Sequence, residues 1–368
     1  MTTSPFDSYR PPESSVRRHR RDGGRRPRSW LNREGGGARE APAVPDAEFS
    51  SYYGRAVVKP MPWKAEIPAY LFAGGVAAGS GLIATGAAAT GRELLRRNSR
   101  LTAMGAVALS GVLLVADLGR PERFLNMLRT VKLTSPMSVG TWILSGYAAC
   151  AGLTTASEIA RLVSLPEHGV QGVAARVLGA LDMPASAGQA LLAPPLAAYT
   201  AVLLSDTATP VWFESRHQLP FVFVGSAAMA SGGVQLVLTP TAETGPARRF
   251  ALIGVATELL AMQRLEDHLA EMELDEPLQT GAAGAKLRLA RALAVAGGLG
   301  ALAAGRSRVV AVASGAALAA ASALTRFGIV EAGIASAKDP RYTVDPQKRR
   351  LERRRASGRV DDGAVTVR

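Results

Sequence analysis

Long apolar segments alternate with short polar ones through the middle of the chain. Eight predominantly apolar runs occur at about 67–89, 101–116, 137–158, 186–207, 219–238, 247–262, 289–304 and 309–333. The hydrocarbon core of a bilayer, about 30 Å thick, needs about 20 apolar residues per helix. The pattern therefore predicts an all-α polytopic membrane protein with about eight transmembrane helices.

The two ends of the chain have a different composition. Residues 1–60 and 335–368 are rich in Arg, Pro, Gly and Ser and poor in large apolar side chains. Segments that cannot bury apolar surface remain disordered. We therefore expect two disordered basic tails, which an even number of spans places on one side of the membrane. These tails also explain why the mean hydropathy of the whole chain is only +0.11.

The net charge of +13 is concentrated in these tails. Basic segments beside membrane helices mark the cytoplasmic side and contact anionic lipid. Neither tail has the interleaved aromatic residues of a nucleic-acid-binding segment, so we expect contact with the lipid bilayer and no nucleic acid. Both tails are placed in the cytoplasm of a multi-pass plasma-membrane protein, although the basic segment 92–100 on the opposite side runs against this trend.

Antiparallel helices bring polar residues from distant positions to the tail side of the membrane. The start of the first helix, the end of the second and the start of the third contribute Glu66, Tyr70, Asp117, Arg120, Glu122, Arg123, Ser135 and Trp142. The opposite side receives mainly arginines. This asymmetry predicts one functional face.

Two charged residues are predicted to lie deep in the second half of the chain. Glu258 falls near the middle of the sixth helix and Arg326 within the eighth. Because a charge inside a bilayer is costly, it is usually paired or lines a polar path. An ion pair between them and a proton path through them are both open at this point.

The sequence also predicts which cofactors this chain does not hold. Its four histidines fall in a tail, a connector or helix ends, where two of them cannot face each other across a haem. A single cysteine, Cys150, cannot form a cluster that ligates zinc or iron–sulfur. We expect no haem and no metal in this chain.

Two motifs resemble a known family. The segment from Glu66 to Gly79, EIPAYLFAGGVAAG, is similar to the first helix of the polysulfide reductase NrfD/PsrC family. The segment from Asp117 to Phe124, DLGRPERF, followed by Ser135-Pro136-Met137-Ser138 and Trp142, resembles that family's connection between helices 2 and 3.

The resemblance implies a haem-free, quinone-reactive integral subunit of a molybdopterin oxidoreductase complex. It implies a four-helix bundle over residues 61–210, which holds the quinone, and a second over residues 211–334. The implied partners are an iron–sulfur subunit and a molybdopterin catalytic subunit. The matching positions for the quinone pocket are Glu66, Tyr70, Asp117, Arg120 and Trp142, and Glu122, Arg123 and Ser135 form a structural or docking rim.

Two other functions stay open at the level of sequence. One is a purely structural tether for the catalytic subunits, and the other is a secondary transporter. Transport is disfavoured because the two halves show no inverted repeat with matching broken helices. The substrate of the catalytic partner, for which formate, polysulfide and thiosulfate are options, does not follow from the sequence.

Overall fold

A computed structural model describes residues 56–118, 120–163 and 168–357, apart from the side chain of Arg123. The described residues contain no β-strand and form twelve α-helices. These are α1 (Glu66–Ala89), α2 (Glu93–Asp117), α3 (Phe124–Leu128), α4 (Pro136–Val163), α5 (Gly169–Ser205), α6 (Pro210–Glu214), α7 (Leu219–Leu238), α8 (Gly245–Glu271), α9 (Glu276–Gln279), α10 (Gly281–Ala303), α11 (Arg308–Lys338) and α12 (Arg341–Ala356).

The eight apolar runs all fall within long helices, namely α1, α2, α4, α5, α7, α8, α10 and α11. Five of these, α1, α2, α5, α7 and α11, are long and apolar enough to cross a membrane by length and composition alone. The protein is therefore an all-α integral membrane protein. Eight as the number of spans stays a prediction, because α4, α8 and α10 are more polar.

Several predicted boundaries differ from the structure. The basic segment 92–100, which was expected to be a connector, forms the first turns of α2. The helix α5 begins at Gly169, well before the apolar run at 186–207, and continues for 37 residues through Pro194 and Pro195. The charged side chains of segment 92–100 are tolerated within a helix because other helices supply ionic partners, as described below.

The C-terminal tail is more ordered than predicted. Helix α11 continues to Lys338, and α12 follows after only two residues. The expectation of disorder is thus wrong for 335–356, where ion pairs attach the chain to the rest of the protein. The predicted N-terminal tail lies outside the described residues up to position 55, as do residues 358–368.

The long helices pack in two sets that share a core. The first helix group comprises α1, α2, α4 and α5, and the second helix group comprises α7, α8, α10 and α11. Helix α1 also packs along α7 and α11, and one hydrophobic cluster includes Leu71, Leu196, Phe223 and Ile329 from both groups. Because this core crosses the predicted boundary at 210, two separate four-helix bundles stay a prediction.

Small residues permit the close packing of α1 on α7. A Cβ atom on Gly79 would lie 2.9 Å from the backbone oxygen of Ala227, and one on Gly75 would lie 3.3 Å from the Ala227 Cβ. This confirms the packing role expected of a pair of small residues four positions apart. The two groups are held in contact by backbones that approach without intervening side chains.

Candidate functional site

The motif residues Glu66 and Asp117 lie at the same end of the first helix group. Glu66 is the first residue of α1 and Asp117 the last residue of α2, and the two helices pack antiparallel. Both carboxyl groups are half-buried, and the Oε2 atom of Glu66 is buried without a hydrogen-bond partner. Asp117 is close enough to be repelled by Glu66 and attracted by Lys64. The result is a pair of acidic groups with unused acceptor capacity.

Tyr70 lies one helical turn beyond Glu66, on the same face of α1. Its side chain is only 2% exposed. Its backbone oxygen accepts a hydrogen bond of 3.3 Å from the hydroxyl of Ser110 in α2, which fixes this turn of α1 against α2. Glu66, Tyr70 and Asp117 are therefore the predicted residues that the structure brings together.

The connector after α2 presents its charges to the outside. Arg120 and Glu122 are exposed, and Arg120 forms no ion pair with any described residue. Pro121 begins a short 3-10 turn, because its ring fixes φ at a helical value and its missing N–H is not needed there. The side chain of Arg123 lies outside the described residues. Arg120 and Glu122 are thus placed for contact with something beyond this chain.

Trp142 and Ser135 belong to a different part of this end. The Trp142 side chain is 43% exposed, and its indole N–H donates to the oxygen of Thr130 at 3.4 Å. The Ser135 N–H donates to the oxygen of Lys132, and its own oxygen accepts from the first turn of α4. Both residues shape the loop before α4, and neither hydrogen-bonds to Glu66 or Asp117.

Beside this loop, Trp142 lines a mostly apolar open cleft of about 260 Å³. Leu133, Ile143 and Leu192 form much of its wall, and Lys132 and Ser138 are at its rim. An apolar cleft with a few polar groups at one edge suits a ligand that has a long hydrocarbon part.

A network of buried charges lies at the opposite end of the first helix group. Arg96 binds Glu158 through two nitrogen atoms at 3.0 and 3.2 Å, and Arg100 Nη1 lies 3.1 Å from Glu158 and 2.9 Å from Asp182. Arg161, which is partly exposed, completes the network at 2.7 Å from Asp182. Because acids and bases alternate, no charge in the network is left unpaired.

The network continues inward as a chain of neutral polar groups. Arg100 donates to the hydroxyl of Ser186, and Thr154 bonds Gln189, whose amide nitrogen donates to the Tyr147 hydroxyl. The Tyr147 hydroxyl then donates to the backbone oxygen of Ala77 in α1. A chain that ends on a carbonyl oxygen and contains an amide cannot pass protons onward. These contacts therefore serve to hold α1, α4 and α5 together.

Sequence reasoning did not identify Asp182 or this network. The partners of Glu158 come from positions 96, 100 and 182, far apart in the chain. The available signals were the spacing of Glu158 and Arg161 by three residues, which places them on one helix face, and an isolated Asp182 within an apolar run.

Glu258 and Arg326 lie in the second helix group and are both buried. They do not form a direct ion pair in the part of the chain that the structure describes. Glu258 accepts a hydrogen bond of 2.6 Å from Thr325, and Arg326 donates to the oxygen of Phe223 at 2.8 Å. The guanidinium also lies 3.7 Å from the centre of the Phe223 ring. Of the two alternatives that the sequence left open, a direct ion pair is not present between these side chains, although the opposite charges interact at longer range.

Helix α12 is attached to the tail-side end by ion pairs that the sequence did not predict. Arg350 binds Glu214, which is only 6% exposed, and Arg341 binds Glu276 at 2.9 Å. Arg349 binds Glu273, and this hydrogen bond lowers the pKa of the Glu273 carboxyl below its ordinary value. Together these pairs fix a helix that sequence composition alone describes as a charged tail.

Comparison with known proteins gives one family. The chain matches the family model described as polysulphide reductase, NrfD, over residues 56–262 of its 368 residues. No curated protein gives a significant match. The matched region extends well beyond the two motifs, from before α1 into α8, and covers more than half of the chain. The geometry and the match lead to the same conclusion: the protein belongs to the polysulphide reductase NrfD family.

Proposed function

We propose that the protein is the membrane subunit of a multisubunit molybdopterin and iron–sulfur oxidoreductase, and that it exchanges electrons and protons with membrane quinone. Family membership supports the role of a membrane subunit of an oxidoreductase complex. The observation that carries the quinone site is the pair of half-buried carboxyl groups of Glu66 and Asp117, with the Oε2 atom of Glu66 buried and unpartnered.

The chemistry of a quinol fits this arrangement. Oxidation of a quinol releases two protons and two electrons, so its hydroxyl groups need acceptors that can take up protons. The free oxygen of Glu66 can accept a hydrogen bond from one hydroxyl, and Asp117 is close enough to receive a proton. The electrons pass to a metal cluster, which we assign to the iron–sulfur partner.

Other predicted residues support the same ligand in different ways. Tyr70 packs one turn below Glu66 and closes the site towards the interior. The apolar cleft beside Trp142 has the composition expected for an isoprenoid tail. Arg120 contributes a positive charge at the rim. This charge attracts either the carboxyl groups of Glu66 and Asp117 or a partner subunit.

The exposed connector residues indicate where the partner subunit binds. Arg120 and Glu122 project from the end of the first helix group without ion pairs to described residues. We propose that this end faces the iron–sulfur subunit, which would bring a cluster close to the quinone. We further propose that the protein lies in the plasma membrane with both basic ends in the cytoplasm.

A purely structural tether is the second candidate, and the exposed charges of Arg120 and Glu122 favour it equally. Purification distinguishes the two functions. We expect an iron–sulfur subunit to copurify with the full-length protein, and a quinone analogue to inhibit electron flow between the complex and added quinone. Copurification without any inhibition would leave the tether, and transport of a solute by the protein alone in liposomes would contradict both.

A further inference from the structure

We propose that Glu258 is a proton-exchange site inside the second helix group, which water reaches through a cleft between α8 and α10 that the Glu266–Arg291 ion pair closes. This inference goes beyond the proposed function and does not depend on it, since it concerns different helices and requires no quinone.

The hydrogen bonding of Glu258 is incomplete. Its side chain is buried, with 4% exposure, and only Oε1 has a partner, the Thr325 hydroxyl at 2.6 Å. The Oε2 atom is buried without any hydrogen bond. A buried carboxyl group with a free oxygen is costly unless it carries a proton or binds water. Bound water, or exchange of the proton with the solvent, requires that water reach this position.

Arg326, like Glu258, has buried polar atoms without partners. Its Nη2 atom donates to Phe223 and packs against Gly75 of α1, where a Cβ atom would lie only 3.3 Å away. Its Nε and Nη1 atoms are buried without partners. Glu258 and Arg326 therefore have three buried polar atoms without hydrogen-bond partners, and a water molecule beside any of them would supply one.

A cleft connects Glu258 to the surface of the protein. It is lined by Glu258 and Thr325 at its inner end and by Glu266 and Arg291 at its outer end. Its volume of about 10 Å³ is roughly the space that one water molecule needs. Arg291 Nη2 lies 2.6 Å from Glu266, and both side chains are partly exposed. The ion pair thus occupies the outer end of the route and must separate for water to exchange freely.

Protonation of Glu258 changes the net charge of its surroundings. The charged groups that face it are Arg326 from α11, Arg291 from α10 and Glu266 from its own helix, whereas α7 contributes the uncharged Ser226 and Gly225. The Glu258–Arg326 pair is neutral when the carboxyl group is ionised and carries one positive charge when it is protonated. In the exchange step, cleft water gives a proton to Oε2 and regains one from bulk water, and no electron moves.

Carbodiimide labelling tests whether Glu258 takes up protons. Dicyclohexylcarbodiimide enters membranes and reacts with protonated carboxyl groups, the acid O–H adding across a C=N bond. We expect the full-length protein in lipid nanodiscs to be labelled at Glu258, increasingly as the pH falls, and E258Q to lack this label by peptide mass spectrometry. E331Q is the matched control, because Glu331 is partly exposed and paired with Lys286; labelling at Glu258 should be unchanged in it.

Isotope exchange tests the route. The infrared C=O stretch of the protonated carboxyl, assigned by its loss in E258Q, should shift on transfer to D₂O. The rate of this shift should rise about two- to fivefold in R291A, the factor expected from breaking a surface ion pair. Absence of label at Glu258 at every pH, in protein that stays folded, would overturn the proton-exchange site. An exchange rate in R291A equal to that of the unaltered protein would overturn the cleft as its route.

Discussion

Arg100 and Glu158 form a buried ion pair with 3.1 Å between Nη1 and Oε2, and 1% and 4% of the two side chains exposed. Glu158 also binds Arg96, so one carboxylate forms ion pairs with two guanidinium groups from α2. Removing one partner of a buried pair is costly because the other charge remains in the interior. Glu158 is therefore the residue on which the network depends most.

We expect E158Q to destabilise the protein by about 3–5 kcal/mol, since Arg100 would remain buried without a counter-charge on α4. R161Q should cost less than about 1 kcal/mol, because Arg161 is partly exposed and water replaces the lost contact. Thermal unfolding of both variants in the same nanodiscs measures the difference. Equal unfolding temperatures would show that the network does not stabilise the first helix group.

Asp117 is predicted to act in quinone turnover rather than in folding. D117N keeps the size of the side chain but removes its ability to accept a proton, so we expect quinone turnover by the purified complex to fall about a hundredfold. E93Q is the control, because Glu93 is an exposed carboxyl at the opposite end of the same helix, and its turnover should remain near that of the unaltered complex. If D117N instead abolishes assembly of the complex, Asp117 has a structural role.

Gly79 is predicted to be essential for the contact of α1 with α7. In G79A the new Cβ atom would lie 2.0 Å from the Ser231 Oγ and 2.9 Å from the Ala227 oxygen. Ser231 can rotate, but the backbone oxygen cannot, so we expect a loss of about 1–3 kcal/mol in the free energy of unfolding.

The control for this change lies in the same helix. Nothing lies within 4 Å of a Cβ atom on Gly86. G86A should therefore stabilise the helix by up to about 1 kcal/mol, the difference in helix propensity between Ala and Gly. Thermal unfolding compares the two variants, and a stabilising effect of G79A would contradict the close packing of α1 on α7.

Attachment of α12 should depend on pH only in acid. The hydrogen bond from Arg349 lowers the pKa of Glu273 below 4.5, so the ion pair contributes above that ordinary value and is lost as the pH falls through the lowered pKa. Amide hydrogen exchange in α12 should therefore be constant near neutral pH and increase in acid after correction for the intrinsic rate. In E273Q, protection of α12 from exchange at neutral pH should be as low as that of the unaltered protein in acid. Full protection would mean that the ion pairs of Arg350 and Arg341 are enough to attach the helix.

The order and number of long helices could be predicted because each long helix contains an apolar run. The same reasoning failed at 92–100, where charges were taken to mark a connector. Arg96 is helical and partly buried, and Arg100 helical and fully buried, because Glu158 and Asp182 pair with them, and those acids lie more than 50 positions away. A local pattern cannot show a partner at that distance, so it cannot separate an exposed charge from a compensated one.

The candidate site was predictable only in part for a related reason. Spacing places Glu66 and Tyr70 on one face of α1, and antiparallel threading brings Asp117 beside them. It cannot determine the direction of a side chain in the loop before α4, and there Trp142 points towards Thr130 instead of the two acids. Likewise, no local pattern shows that the ring of Trp63 stacks on the buried Trp212, with 5.4 Å between the ring centres.

Helix α1 connects the two halves of the protein mechanically. It carries Glu66 at one end and, about two and a half turns further along, the bare backbone at Gly75 against which the Arg326 guanidinium rests. A rigid helix transmits a tilt along its whole length. Any ligand that displaces the start of α1 would therefore also change the space around Arg326, so the end that carries Glu66 and the buried interior of the second helix group would be mechanically coupled.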